Sequence, residues 1–360
     1  MLGKPKTSVC IYISIDFSCN LWYNFFSLQQ TIFWKDGNIM TERQLEILKG
    51  DYVFMSGVVR AKTVNKLSIA IKLGVSWPTV NKKVGSLLNE GIIINGGDSY
   101  KINPDISDTS LFIGIYSDGI NINCIALNLA QETVELSEVL SKENYDSFIA
   151  IINNTNLSLL SRITFLVHLF SQEDKILNVG ISIQGTITLS GDVTISNSHL
   201  SLNSSSFLDK CTLFEAVRAN YYILKSDHFL DDMWYLYVGN EAIYLLSNDT
   251  ISPAKGLITL DTCEKKAIST LFEHSTDSIS LFEAKDIVLR KIIPFMHFVH
   301  PSVLIIGGAL ASQDVSSFVY SDFKALNINE VKFDDSNFAK SIACFAMSKF
   351  FEGREWYHSQ

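Results

Sequence analysis

The segment Ser76-Trp-Pro-Thr-Val-Asn-Lys-Lys83 gathers the side chains best suited to specific chemistry. An asparagine carboxamide can donate to and accept from the edge of adenine, and a threonine methyl can rest against the methyl of thymine. Asn81 and Thr79 are the candidates for these two contacts. Lys82, Lys83 and, further on, Lys101 are candidates for phosphate contacts, the kind that makes nucleic-acid binding salt-dependent. Ser76 opens the segment as a helix cap. Trp77 is either a packing residue or a side chain lying along a DNA backbone. The competing interpretation of the same face is a solvated lysine surface on a helical protein-interaction module.

These side chains act together only if a helix entered by a tight turn presents them on one face. Thr41–Leu48 is expected to form a short helix capped by Thr41, with Leu45 and Leu48 as its apolar stripe. In Val64–Leu73, Leu67, Ala70 and Ile71 fall at i, i+3, i+4 and predict one buried face. Gly74 stops that helix. Ser76 and Pro78 then start a helix over Trp77–Asn89, with Val80, Val84, Leu87 and Leu88 inside and Gly91 just beyond its end. Ile92–Ile94, Asn95-Gly-Gly-Asp98 and Tyr100–Ile102 predict a β-hairpin. Residues 40–104 are thus expected to be a winged helix-turn-helix, with the third helix in the major groove.

Charge distribution points the same way. The chain carries −9 overall, yet residues 40–103 carry +4 and the remainder beyond them −14. A basic head ahead of an acidic body suits a polyanion partner for the head alone. With 360 residues, 47% hydrophobic and 19% charged, the chain has enough apolar content for a folded protein of two or three domains. Six cysteines at 10, 19, 124, 211, 263 and 344 form no Cys-x-x-Cys pair. A zinc ribbon, a redox dithiol and a disulfide scaffold are therefore not expected, and the cytoplasm is the expected compartment. Asp227, His228, Asp231 and Asp232 are expected to be a solvated turn rather than a metal site. No run of about 20 apolar residues is found, so no membrane span is expected. Residues 1–39 are expected to be an extension, either disordered or the product of a mis-assigned start.

Residues 105–360 are expected to form an α/β body. Its strands include Leu111–Tyr116, Ile120–Leu127, Ile176–Ile183, Met233–Val238, Ala242–Leu246 and Val303–Ile306. Helical stretches fall at Tyr145–Asn154, Leu157–Phe170, Asp277–Val299 and Ala339–Phe350. The alternation implies two lobes, roughly 105–215 and 216–360. Three stretches now combine: the head with Leu73-Gly-Val-Ser76, Val179-Gly-Ile-Ser-Ile-Gln-Gly185, and His300-Pro-Ser-Val-Leu-Ile-Ile-Gly-Gly308. In this order the chain resembles the ROK family of bacterial repressors and sugar kinases, in particular the xylose and N-acetylglucosamine repressor branch. The resemblance implies a winged helix-turn-helix followed by a two-lobed, actin-like (ribonuclease H-like) sugar-kinase body.

Departures from the family pattern remove the kinase. Ile113-Gly-Ile-Tyr-Ser-Asp-Gly119 does not reproduce the phosphate-binding Asp-x-Gly-x-Thr. Arg218-Ala219 stands where the family's Asn-Asp base belongs, and Ala219 accepts no proton. Val238-Gly-Asn-Glu241 has few glycines for a phosphate turn, and Pro253–Asp261 lacks the family's Glu and His. The expectation is a regulator, most often a repressor in this family, with no catalytic residue, no metal and no cofactor. Its partners would be operator DNA, a second copy in a dimer or tetramer, and a small-molecule or protein effector between the lobes. Gln184, Asn197, His199 and Asn220 are the candidates for lining that cleft.

Overall fold

The computed structural model describes residues 40–117, 121–183, 186–187, 193–195, 198–200, 211–213, 216–228, 232–239, 242–247, 257–272, 278–299, 301–311, 313–326, 328–334 and 337–352. The extension expected at 1–39 lies outside them.

The head begins with α1 (Glu42–Arg60). Its N-terminus is a reciprocal capping box: Gln44 N–H donates to Thr41 Oγ1 and Thr41 N–H donates to Gln44 Oε1. The helix runs far past the expected end at Leu48, because Leu48, Tyr52 and Met55 carry the buried stripe onward at i, i+4, i+7. Next come α2 (Lys66–Leu73), α3 (Trp77–Asn89), and the antiparallel hairpin of β1 (Ile93–Asn95) and β2 (Tyr100–Ile102). The expected face of α2 is corrected. Ile69 and Ala70 are inside, whereas Leu67 and Ile71 are 57% and 74% exposed. The apolar side chains Leu67, Ile69, Ala70, Ile71 and Leu73 spread over more than half the circumference of this short helix, so its pattern does not fix which side packs. Contacts with α1 do: a Cβ on Gly57 of α1 would lie 2.5 Å from the Leu73 side chain.

The body follows with α4 (Pro104–Ser107), β3 (Leu111–Ser117), β4 (Ile122–Leu127), β5 (Thr133–Val134), α5 (Leu136–Val139), α6 (Lys142–Asn153), α7 (Leu159–Ser171) and β6 (Ile176–Ile183). After them come β7 (Thr186–Ile187), β8 (Val193–Ile195), β9 (Ser198–Leu200), β10 (Cys211–Leu213), α8 (Ala216–His228), β11 (Met233–Val238), β12 (Ala242–Leu246) and β13 (Leu257–Thr259). The chain closes with α9 (Thr262–Phe272), α10 (Ser278–Val299), β14 (Val303–Gly308), α11 (Gln313–Lys324), β15 (Glu330–Asp334) and α12 (Phe338–Glu352).

Two five-stranded sheets repeat one topology. The first has order β10-β6-β3-β4-β5 and the second β13-β12-β11-β14-β15. In each, the first three strands are an antiparallel meander, and two parallel strands extend the sheet on the other side of the first strand. Parallel strands need crossover connections; helices lie in those leading to β6, β14 and β15, whereas β7, β8 and β9 lie between β6 and β10. A smaller antiparallel sheet joins β7, β8 and β9.

The expected division at 215/216 counts α12 with the second lobe. α12 lies on β3, β4 and β6 of the first sheet and against α8 and α1. Gly114 and Gly180, register partners on β3 and β6, make the trough that receives it. A Cβ on Gly114 would stand 1.8 Å from Ala339 O, and one on Gly180 2.7 Å from Ile342 Cγ2. At its other end α12 joins the head. Tyr52 stacks on Phe351 with ring centroids 4.9 Å apart, and its hydroxyl donates to Met347 Sδ at 2.9 Å. Leu48, Tyr52 and Met55 thus share one continuous core with Phe112, Met347 and Phe351.

Two glycine substitutions should move stability in opposite directions. Gly114→Ala forces α12 off its strand and should cost about 1–3 kcal/mol. Gly50→Ala, mid-helix in α1 with nothing within 4 Å, should gain about 0.5–1 kcal/mol. Urea denaturation of the full-length variants reads both.

Candidate nucleic-acid interface

The turn between α2 and α3 is fixed at both ends. Gly74 adopts φ +63°, and the Gly74 and Val75 N–H groups donate to Ile71 O and Ala70 O, an arrangement that caps α2. Ser76 Oγ accepts from Thr79 N–H and shares a 2.8 Å hydrogen bond with Thr79 Oγ1. The Ser76 hydroxyl is therefore committed to the cap, and Thr79, half-buried, has its own hydroxyl engaged there. Val80, Val84 and Leu87 are fully buried beneath. On the outer side Trp77 is half-exposed, and Asn81 and Lys82 are open to solvent.

The hairpin is held beside this helix. Asn103 Nδ2 donates to Gly91 O at 2.8 Å, and Gln44 Nε2 donates to Glu90 O at 2.8 Å. Gly97, at φ +90°, turns the chain between the strands. Lys101 is exposed on β2. Trp77, Asn81, Lys82 and Lys101 are thus solvent-facing side chains of one folded head.

Two of the candidate side chains have partners within the head. Lys83 forms an ion pair with Asp51 of α1 and lies over the Phe54 ring at 5.2 Å. It stands three residues after Val80 and four before Leu87, so it leaves α3 along the edge of the buried face. Asn81 Oδ1 accepts a 2.7 Å hydrogen bond from Lys66 Nζ at the start of α2. Lys66 carries no signal in the sequence that would mark this contact.

Of the expected cleft residues, Gln184 and Asn197 lie outside the described residues. His199 is in β9, paired with Thr194, and its side chain lies outside the description. Asn220 is corrected. It is buried on α8, with its Nδ2 donating to Tyr235 Oη and to Asp334 Oδ2, and its Oδ1 accepting from Ser341 Oγ. Both ends of its amide are thus used in tying β11 and β15 of the second sheet to α12.

Around this knot the rings of Tyr116, Phe338 and Tyr237 form a relay. Tyr116 meets Phe338 edge-on at 5.1 Å, and Phe338 meets Tyr237 at 5.1 Å. The relay joins the end of β3 to the end of β11, with Phe338 of α12 between them. Gly307 on β14 makes room for Tyr235, since a Cβ there would lie 2.4 Å from its hydroxyl oxygen. Among the described residues, no group of three His, Cys, Asp or Glu side chains is placed to hold a metal ion. No described helix is long and apolar enough to cross a membrane.

Burial pushes the Tyr235 phenol well above the ordinary tyrosine value, and the Asp334 carboxylate adds to the shift. Burial likewise raises Tyr237, with Tyr116 and Asp334 contributing. Because the folded state holds these protons more tightly, their stabilisation is complete below about pH 10 and is lost as pH rises beyond it. In an ultraviolet titration, Tyr235 and Tyr237 should stay silent near pH 10 and ionise only as the chain unfolds. Tyr235→Phe and Tyr237→Phe should flatten the alkaline loss of stability; an unchanged profile would contradict the assignment.

No protein-family model matches the chain, and no curated protein matches it. Among solved structures, the chain is similar to a ROK family transcriptional regulator, a homologue of the E. coli Mlc protein, with a TM-score of 0.52 at 9% identity. The match covers 85% of this chain and 98% of that one. It also matches a ROK family protein from Streptococcus pneumoniae in complex with sucrose, with a TM-score of 0.42 at 13% identity over 68% of this chain and 98% of that one. A ROK family glucokinase from Streptomyces griseus in complex with glucose and AMPPNP has a TM-score of 0.44 at 12% identity over 66% and 98%. The regulator match is longer than residues 105–360 alone can supply, so it reaches into the head. The chain therefore shares the fold of a ROK family transcriptional regulator.

Proposed function

We propose that this protein is a sequence-selective DNA-binding transcriptional regulator of ROK type, acting as a repressor in the cytoplasm. The observation that carries the proposal is the exposed face of α3. Trp77, Asn81 and Lys82 stand on a capped helix, with Lys101 on the adjoining hairpin, in a chain that shares the fold of a regulator. On this reading residues 40–104 are the winged helix-turn-helix. Asn81 contacts a base, the Thr79 methyl meets thymine, and Lys82 and Lys101 contact phosphates. Lys83 buttresses α3 against α1 instead. The body is the dimerisation part, setting two heads on half-sites one or more helical turns apart.

The proposal also holds that the body does not phosphorylate a sugar. Its support is chemical. Ala219 is buried and has no basic group. Tyr116 and Phe338 pack together at the end of β3, where the resemblance places phosphate binding. Gly114 serves the close approach of α12. An effector, on this reading, would act by favouring one arrangement of the lobes.

Exposed Leu67 and Ile71 favour a second reading, in which the head contacts a protein partner through an apolar surface. Salt separates the two. Fluorescence anisotropy with duplexes from the DNA flanking its own coding sequence should show selective binding that weakens steeply with salt. Lys82→Ala should reduce the log–log salt slope by about one, and Lys83→Ala should leave it unchanged. Asn81→Ala should weaken the preference over random duplex by about tenfold. Binding no better than to random DNA would reject the regulator reading.

A further inference from the structure

We infer that Lys66 sets which base Asn81 reads, converting an adenine-type contact into a guanine-type one; the inference rests on the DNA-binding reading above. The chemistry starts from the donor inventory. A lysine ammonium only donates, whereas an asparagine carboxamide has one accepting oxygen and one donating NH2 group. The 2.7 Å contact from Lys66 Nζ therefore fixes the orientation of the amide, with Oδ1 toward α2 and Nδ2 on the opposite branch.

Both partners are held by their helices. Asn65 caps α2, its Oδ1 accepting from the Leu67 and Ser68 N–H groups, so the backbone at Lys66 is fixed. Ser76 caps α3 one turn before Asn81. The short turn through Gly74 connects the two. Asn81 is exposed, so the pair forms part of the surface offered to a partner.

Adenine is read by accepting from its N6 amino group and donating to N7. Lys66 takes one of the two lone pairs of Oδ1, so an adenine amino group approaching the other comes close to a positive donor and is disfavoured. Guanine instead offers two acceptors, O6 and N7, in the major groove. The Nδ2 group of Asn81 together with the Lys66 ammonium is a donor-only surface that matches them. Lys66 is in this sense a positioning and specificity-determining residue, separate from a lysine that only neutralises phosphate.

The test is selection from a randomised duplex pool with the full-length wild type, Lys66→Met, Lys66→Arg and Asn81→Ala. Wild type should prefer guanine over adenine at one position of each half-site by about tenfold. Lys66→Met should select the same motif with adenine at that position. Lys66→Arg, which still only donates, should retain guanine. Asn81→Ala should lose preference at that position most strongly, with the overall preference over random duplex reduced as a result. If Lys66→Met returns the wild-type motif unchanged while the wild type selects one, the role of Lys66 is overturned and the DNA reading stands. If the wild type selects no motif, the DNA reading falls, and this inference falls with it.

Discussion

The first sheet, α8 and the head all lean on the seating of α12 in the trough made by Gly114 and Gly180. Two adjacent parallel strands lack side chains at paired positions, so a helix backbone can approach to a distance that a single methyl group would forbid. Ala339, Ala343 and Ala346 on α12 are correspondingly small and buried. Because interiors are close-packed, such an approach leaves little room for adjustment. The last helix of the chain thereby becomes the element on which the first sheet, α8 and the head all converge.

From this follows a structural linkage between distant parts. At its start α12 carries Phe338, between Tyr116 and Tyr237, and Ser341, which donates to Asn220. At its end it carries Met347 and Phe351, which hold Tyr52. The contacts of the two sheets and those of the head are thus made by one continuous helix. A buried network of Asn220, Tyr235, Asp334 and Ser341 is worth most when every member is satisfied, and the cost of disturbing it is correspondingly high. The same residues explain why Asn220 is unavailable to a ligand: its polar atoms are consumed in holding the fold.

Much of the fold was legible in the sequence where the signal is local. Ser76, Pro78 and Gly91 bound α3 to Trp77–Asn89, and the apolar runs at 176–183, 233–238 and 242–246 are strands over those same limits. What was not legible depends on partners far along the chain. The second half of α1 becomes helical by packing Tyr52 and Met55 against the head and body core, beyond any stop signal at Gly50. The buried side of α2 is chosen by α1, since Leu67 and Ile71 are as apolar as Ile69. Lys83 looks like its neighbour Lys82 until Asp51, 32 residues earlier, is brought beside it. Lys66 and Asn81, 15 residues apart, meet only because a left-handed glycine folds one helix back beside the next. The assignment of α12 to the first sheet has no local signature at all.

The head shares one core with α12 and the first sheet and is not a tethered module. Native-state hydrogen exchange on the full chain tests it most directly, since it reads the opening free energy of each element separately. The buried amides of α1, α12 and β3 should exchange through a shared opening of similar free energy. Rapid exchange across α1 and α3 while α12 and β3 stay protected would show that the head opens alone, and would contradict it.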